Sequence, residues 1–326
     1  LKMIVTGAAG FIGFHTAGAA LRRGDTVIGY DNLNAYYDPR LKAARLALLS
    51  AHPRFRFVEG DVADPAAMNA LVAAEPDCTA IVHLAAQAGV AYSIENPLAY
   101  VQSNVAGQVV VFEAARRLSG LRQVVYASSS SVYGANEATP FRETDRVDQP
   151  VSLYAATKRA GELIARTYAH VHGIASTGLR FFTVYGPYGR PDMAPWLFTE
   201  AIMAGRPITL FNEGRMRRDF TFVDDVVAGT LAAVDRTPEP AETRLFNLGN
   251  NRPVELRTFV AAIERAVGRA ATIVEAPMRP ADVVETCADI ETSAAELGYR
   301  PRTPLEEGIP RFVDWYRGWS NGVPEG

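Results

Sequence analysis

Residues 2–13 read KMIVTGAAGFIG, and their order decides the fold. A short apolar run at 2–6 enters glycines 7, 10 and 13 directly, and an alanine-rich amphipathic stretch at 14–23 follows. Strand, glycine turn and helix in succession give the GxxGxxG spacing a physical role. The first glycine permits a tight turn, the second lets backbone approach a pyrophosphate at the positive end of the helix, and the third lets helix pack on strand. Gly7, Gly10 and Gly13, with Phe11 and Ile12 in the same turn, are the expected contacts of a bound dinucleotide.

Downstream the alternation repeats. Residues 26–30 form a second predicted strand with Asp31 at its end, 24 residues after Gly7. A carboxylate there accepts from ribose hydroxyls and repels a 2′-phosphate, which favours NAD over NADP. Asn32 beside it joins the same group. Residues 55–59 and 80–84 read as the third and fourth strands. The third runs into Gly60, Asp61 and Val62, positioned to meet an adenine. The fourth ends in Leu84, Ala85 and Ala86, whose small side chains let backbone approach the cofactor. Helical stretches at 40–50, 65–74 and 98–118 intervene, so a parallel sheet with both faces covered is expected, with ligand at the carboxyl ends of its strands.

A fifth strand at 122–127 runs into four serines, Ser128 to Ser131, and then Val132, Tyr133 and Gly134. Hydroxyls at the carboxyl end of a central strand face the expected crevice. After a polar loop at 135–150, Ser152 suits the N-cap of a helix reaching about residue 172. That helix carries YAATK at 154–158, a phenol and an ammonium one turn apart on one face. For Tyr154 to act as a base near neutral pH its pKa must fall by roughly 3 units from about 10, or about 4 kcal/mol, and neighbouring positive charge is the physical means. Lys158 is the expected source.

The chain of 326 residues has a formal charge of −3 and no cluster of Lys and Arg interleaved with aromatics, so nucleic acid is not an expected partner. Cys78 and Cys287 lack any metal or redox spacing and read as two buried thiols, with no metal site expected. No run of 18 apolar residues suggests a span, and the chain opens on a strand without a signal-peptide pattern. A cytoplasmic setting without membrane contact is the expectation.

Gly7, Gly10 and Gly13, Asp31, the SSSSVYG stretch and YAATK, in this order and spacing, resemble the extended short-chain dehydrogenase/reductase superfamily. The resemblance covers essentially the whole chain. It implies an α/β fold: a Rossmann-type doubly wound parallel sheet with a smaller mixed α/β C-terminal substrate domain. Residues 1–182 plus 224–250 would bind NAD, and residues 183–223 plus 251–326 a nucleotide sugar. It implies a triad of Ser129, Tyr154 and Lys158, with Lys158 also holding the nicotinamide ribose and Asn104 ordering the cofactor side. Arg218 and Arg279 would bind a UDP or dTDP diphosphate, with Asp282 near the ribose. Phe211 is suited to stacking on the base. A homodimer through the helices bearing Leu98 and Tyr154 is implied in the same way.

Within the superfamily, dehydratases carry an Asp-Glu pair immediately before the VYG element and nucleotide-glucuronate decarboxylases a glutamate; this chain has Ser130 and Ser131. Neutral donors hold a substrate carboxylate without repulsion. The stretches DNLNAYYD at 31–38, HLAAQAGVAYSIENP at 83–97 and YGPYGRPDMA at 185–194 resemble UDP-glucuronate 4-epimerases. Ser129 stands where many relatives have threonine, and Ala281 where glycine is frequent. The implied reaction oxidises the sugar at C4, with Tyr154 as base, Ser129 in the proton relay and NAD as hydride acceptor, then turns the 4-keto sugar and reduces its other face. Ser130, Ser131, Thr183 and Arg190 would hold the glucuronate carboxylate. Alternatives are a 4-epimerase of UDP-glucose or its N-acetyl amine, a UDP-glucuronate decarboxylase, and a non-catalytic NAD-dependent sensor of the same fold.

Overall fold

A computed structural model describes residues 1–278 and 283–322. The opening run forms β1 (Lys2–Thr6), and the glycine turn delivers the chain into α1 (Phe11–Arg22). This helix starts three residues earlier than the sequence suggests, because Gly10 is its N-cap and Phe11 already packs into the core. The chain continues through β2 (Thr26–Asp31), α2 (Pro39–Ser50), β3 (Phe55–Glu59), α3 (Pro65–Ala74) and β4 (Ala80–His83). Short helices α4 (Tyr92–Glu95) and α5 (Pro97–Tyr100) lead into a π-helical segment, Val101–Ala106, and α6 (Gly107–Ala115). The helix expected at 98–118 is therefore interrupted and ends at residue 115.

Next come β5 (Gln123–Ser129), α7 (Leu153–His172) and β6 (Ser176–Phe181). The Ser152 hydroxyl caps α7 by accepting from Ala155 N at 3.1 Å, and Gly173 ends it in the left-handed region at φ +70°. The remaining elements are β7 (Thr183–Tyr185), α8 (Ala194–Ala204), β8 (Ile208–Phe211), β9 (Arg217–Arg218), β10 (Phe220–Phe222), α9 (Val223–Asp235), β11 (Thr243–Leu248), β12 (Val254–Glu255), α10 (Leu256–Val267), β13 (Ile273–Ala276), α11 (Glu291–Leu297) and α12 (Leu305–Ser320).

Seven strands pair in the order β11-β6-β5-β4-β1-β2-β3, every pairing parallel. Such a sheet is buried on both faces, which is why β1, β4 and the 124–127 stretch of β5 are near-continuous apolar runs, while β6, STGLRF, is buried throughout in spite of its polar residues. The order reverses between β1 and β4, opening a crevice at their carboxyl ends. One apolar core fills the α1 and α9 side and runs on into α8, α10 and α12; a second lies under α3, α6 and α7. Outside this sheet β7 pairs with β10 and β8 with β13 in parallel, and β9 pairs with β12 antiparallel. Among the described residues no helix is long and apolar enough to cross a membrane.

Candidate active site

The crevice at the strand reversal is a cavity of about 380 Å³. Its floor is the glycine turn. Gly7 sits at φ +72°, and a Cβ on it would lie 2.7 Å from Ala85 N; a Cβ on Gly13 would lie 2.0 Å from Gly7 O. No side chain caps α1 and no acidic residue stands in its first turn, so its N-terminal amides keep a positive face toward the cavity. Phe11, Ile12, Val62, Leu84, Ala85 and Ala86 line the same space.

Asp31 lines it too, but its carboxylate already braces the turn. One oxygen accepts from Ala9 N at 3.1 Å; the other accepts from Leu33 N at 2.9 Å and Lys42 Nζ at 3.3 Å. Asn32 reaches the cavity and donates to Asp61 Oδ2 at 3.0 Å. The Asp61 carboxylate is turned to that amide and to Ala63 N at 2.8 Å, and Asp61 is absent from the lining that its neighbours Gly60 and Val62 supply. Asn104 is likewise outside the cavity. It lies buried in the π-helical segment, bonded to Gln87 N and O at 2.8 and 2.9 Å and to Thr157 Oγ1 at 3.0 Å, and so ties the loop after β4 to α7.

Ser129, Ser130, Ser131, Tyr154, Lys158, Thr183 and Arg190 converge on the same cavity. Ser129 ends β5, and its Oγ accepts from the Ser131 hydroxyl at 2.9 Å and amide at 3.2 Å. Ser128 points the other way, donating to Glu162 at 2.6 Å. Tyr154 and Lys158 share one face of α7, with Nζ 5.9 Å from the Tyr154 ring centre. Burial raises the Tyr154 pKa above its ordinary value, while the Ser129 hydroxyl and the Arg190 charge pull it down. The expected acidification by Lys158 is thus not what this geometry supplies. Burial lowers Lys158 itself to about 8, and its ammonium is turned to Ala127 O at 3.0 Å.

Arg190 forms a two-pronged pair with Asp192, Nε to Oδ1 at 3.0 Å and Nη2 to Oδ2 at 2.5 Å. Burial opposes its charge, and the carboxylate overrides that and raises its pKa. A second cavity of about 590 Å³ opens beyond, lined by Phe211, Arg218, Leu197, Phe198 and Met216. Thr183 and Met193 border both cavities, so the two are neighbours with a shared wall. Arg279 and Asp282 lie outside the described residues. Among those described, no group of three or more His, Cys, Asp and Glu is arranged to hold a metal. Cys78 and Cys287 are buried, free thiols.

Two sets of supporting residues carried little local signal. Arg45, buried in α2, donates to Ala9 O and Tyr37 OH at 2.7 Å and to Tyr188 O at 2.7 Å, joining the glycine turn to the loop before Arg190. Arg180, in β6, pairs with Glu162 of α7 through Nε at 2.8 Å and Nη2 at 2.9 Å, and both side chains are 1% exposed. Glu162 also anchors Ser128, so this ion pair fixes α7 against the end of β5. A charged residue inside the apolar run Leu179–Phe182 was the available clue to it.

A family model described as the NAD dependent epimerase/dehydratase family matches residues 3–249. The chain is 49% identical over 336 residues to UDP-glucuronate 4-epimerase 3 of Arabidopsis thaliana, across 98% of this chain and 77% of that protein. It is 45% identical over 333 residues to a probable UDP-glucuronate 4-epimerase of Rhizobium meliloti (strain 1021), across 97% of each. The crystal structure of UDP-glucuronic acid 4-epimerase from Bacillus cereus, in complex with UDP-glucuronic acid and NAD, superposes with a TM-score of 0.91 at 30% identity. That match covers 98% of this chain and 100% of the other.

Proposed function

The chain belongs to the NAD dependent epimerase/dehydratase family, and from that premise we propose that it inverts C4 of UDP-glucuronate to give UDP-galacturonate, using NAD as resident cofactor. It is a nucleotide-sugar 4-epimerase, an isomerase. The observation that carries the substrate is the polarity around Tyr154. Ser130, Ser131, Thr183 and Arg190 present hydroxyls and one guanidinium, while the only carboxylate lining the cavity among the described residues is Asp31, in the glycine-turn region. A sugar acid fits that lining, and charge-assisted bonds from a guanidinium to a carboxylate are among the stronger polar contacts.

The glycine turn suits NAD, since a Cβ on Gly13 would meet Gly7 O at 2.0 Å and push apart the helix and strand whose close packing aims the turn's amides at a pyrophosphate. When bound, NAD supplies the acceptor for the C4 hydride and its later return. Tyr154 takes the proton of the 4-hydroxyl, with Ser129 relaying it, and Lys158 holds its positive charge close by. Phe211 and Arg218 hold the base and diphosphate, together with Arg279 and Asp282. The 4-keto pyranose turns about its diphosphate link at the junction bordered by Thr183 and Met193. Asn32 and Asp31 serve the adenosine end.

In this reading residues 1–182 plus 224–250 form the NAD-binding domain and residues 183–223 plus 251–326 the nucleotide-sugar domain. The protein works as a cytoplasmic homodimer. The exposed apolar side chains Ile94, Leu98 and Val101, with Leu163 and Val171 on α7, support that pairing.

The test is incubation with UDP-glucuronate without added NAD, followed by chromatographic separation of UDP-sugars. UDP-galacturonate is the expected product. Turnover of UDP-glucose alone, or release of carbon dioxide with a UDP-pentose, would refute the assignment.

A further inference from the structure

Oxidation of a glucuronate at C4 makes a β-keto acid. Such an acid decarboxylates when the C5–C6 bond aligns with the carbonyl π system: that bond breaks, its electron pair enters the C4 carbonyl, C5 takes a proton and carbon dioxide leaves. Suppressing this requires an angular constraint on the carboxylate, and a flexible arginine is a poor source of one unless it is itself held. We propose that Asp192 and Tyr36 are positioning residues that lock the Arg190 guanidinium in one orientation, and that this lock keeps epimerisation free of decarboxylation. The inference rests on the glucuronate reading above.

The lock is visible in the geometry. Asp192 occupies the edge of Arg190 that carries Nε and Nη2, at 3.0 and 2.5 Å, which leaves Nη1 for a second anion. The Tyr36 hydroxyl donates to Asp192 Oδ2 at 3.1 Å and so fixes the carboxylate that fixes the arginine. The three groups meet against the backbone of Gly89: a Cβ there would lie 2.9 Å from Tyr36 OH and 3.5 Å from both Arg190 Nη2 and Asp192 Oδ2, and φ is +108°. Tyr36 is held in turn by its ring contact with Tyr92, 4.7 Å between centres. Arg45 anchors the backbone of the same loop through Tyr188 O at 2.7 Å. Tyr36 and Arg45 both come from the segment after β2, so one stretch of chain sets the orientation of Arg190 by two routes.

The experiment compares wild type, Asp192→Asn and Tyr36→Phe on UDP-glucuronate. It measures KM, kcat and the ratio of decarboxylated UDP-sugar (UDP-4-keto-pentose plus UDP-pentose) to UDP-galacturonate. In Asp192→Asn, Arg190 keeps its charge and loses its lock, so the ratio should rise at least tenfold while KM changes less than threefold. Tyr36→Phe preserves the ring packing and should raise the ratio by a smaller factor, which decides the matter if the first variant fails to fold. Both products falling in proportion, or the ratio unchanged in the folded variants, would overturn the inference alone. A wild type that converts UDP-glucose but not UDP-glucuronate would overturn the reading of the site and the inference with it.

Discussion

Replacing Lys158 with methionine should stabilise the nucleotide-free protein at neutral pH. Burial lowers the Lys158 pKa from 10.5 to about 8, which corresponds to roughly 3 kcal/mol of destabilisation carried by the charged form. Methionine removes that cost and forfeits the hydrogen bond to Ala127 O at 3.0 Å, worth about 1 kcal/mol. The net gain at pH 7 is therefore about 2 kcal/mol. Below pH 8 folded and unfolded wild type both carry the proton, and the cost is present in full. Between about 8 and 10.5 the unfolded chain binds a proton that the folded one lacks, so wild-type stability rises with pH relative to the variant. By pH 10.5 the advantage of methionine is gone. Urea unfolding of both proteins at pH 7, 8.5 and 10 reads this directly, since every other titrating group is common to the pair. Stability curves that stay parallel from pH 7 to 10, or a variant weaker at every pH, would refute the reasoning.

Tyr154→Phe should lower kcat by at least about 10²-fold, the usual range for a lost general base, while the purified protein retains nucleotide absorbance; retained turnover would remove Tyr154 from the proton transfer. Gly13→Ala places a Cβ 2.0 Å from Gly7 O, so the variant should purify without nucleotide, and a normal absorbance ratio at 260 and 280 nm would contradict the role given to the turn. Arg180→Met leaves the Glu162 carboxylate buried at 1% exposure and should cost about 3–5 kcal/mol in urea unfolding, of which adding Glu162→Leu should restore more than half. An equal loss in single and double variants would mean the pair matters through shape and not charge.

The strands, the glycine turn and the two helical partners Tyr154 and Lys158 were legible because each is a local pattern: apolar runs ending in small residues, and a spacing of four on a capped helix. What escaped were contacts made across the fold. Lys42 and Arg45 carried no local signal within the helical stretch expected at 40–50, yet α2 packs so that one meets Asp31 and the other reaches beneath the glycine turn to Tyr188. Asn104 was expected to order the cofactor side, and the π-helical segment turns its amide to Gln87 and Thr157. The spacing of Tyr154 and Lys158 fixes only a shared helix face. It does not fix where a four-carbon side chain ends, and that end lies at Ala127 O.

The place of β11 has a consequence for synthesis. β6 is buried along its whole length, and its outer edge is covered by β11, whose register runs from Thr243 opposite Ser176 to Leu248 opposite Phe181. A chain emerging from the ribosome therefore leaves a six-residue backbone edge unpaired from the time β6 forms until more than sixty further residues have been made. An unpaired edge of that kind templates strands from other molecules. During that interval the glycine turn and the Tyr154 helix have already been translated. The hazard in making this protein thus falls after its catalytic residues exist and before its sheet is closed, and co-translational shielding of β6 should govern the yield of soluble protein more than any property of the site.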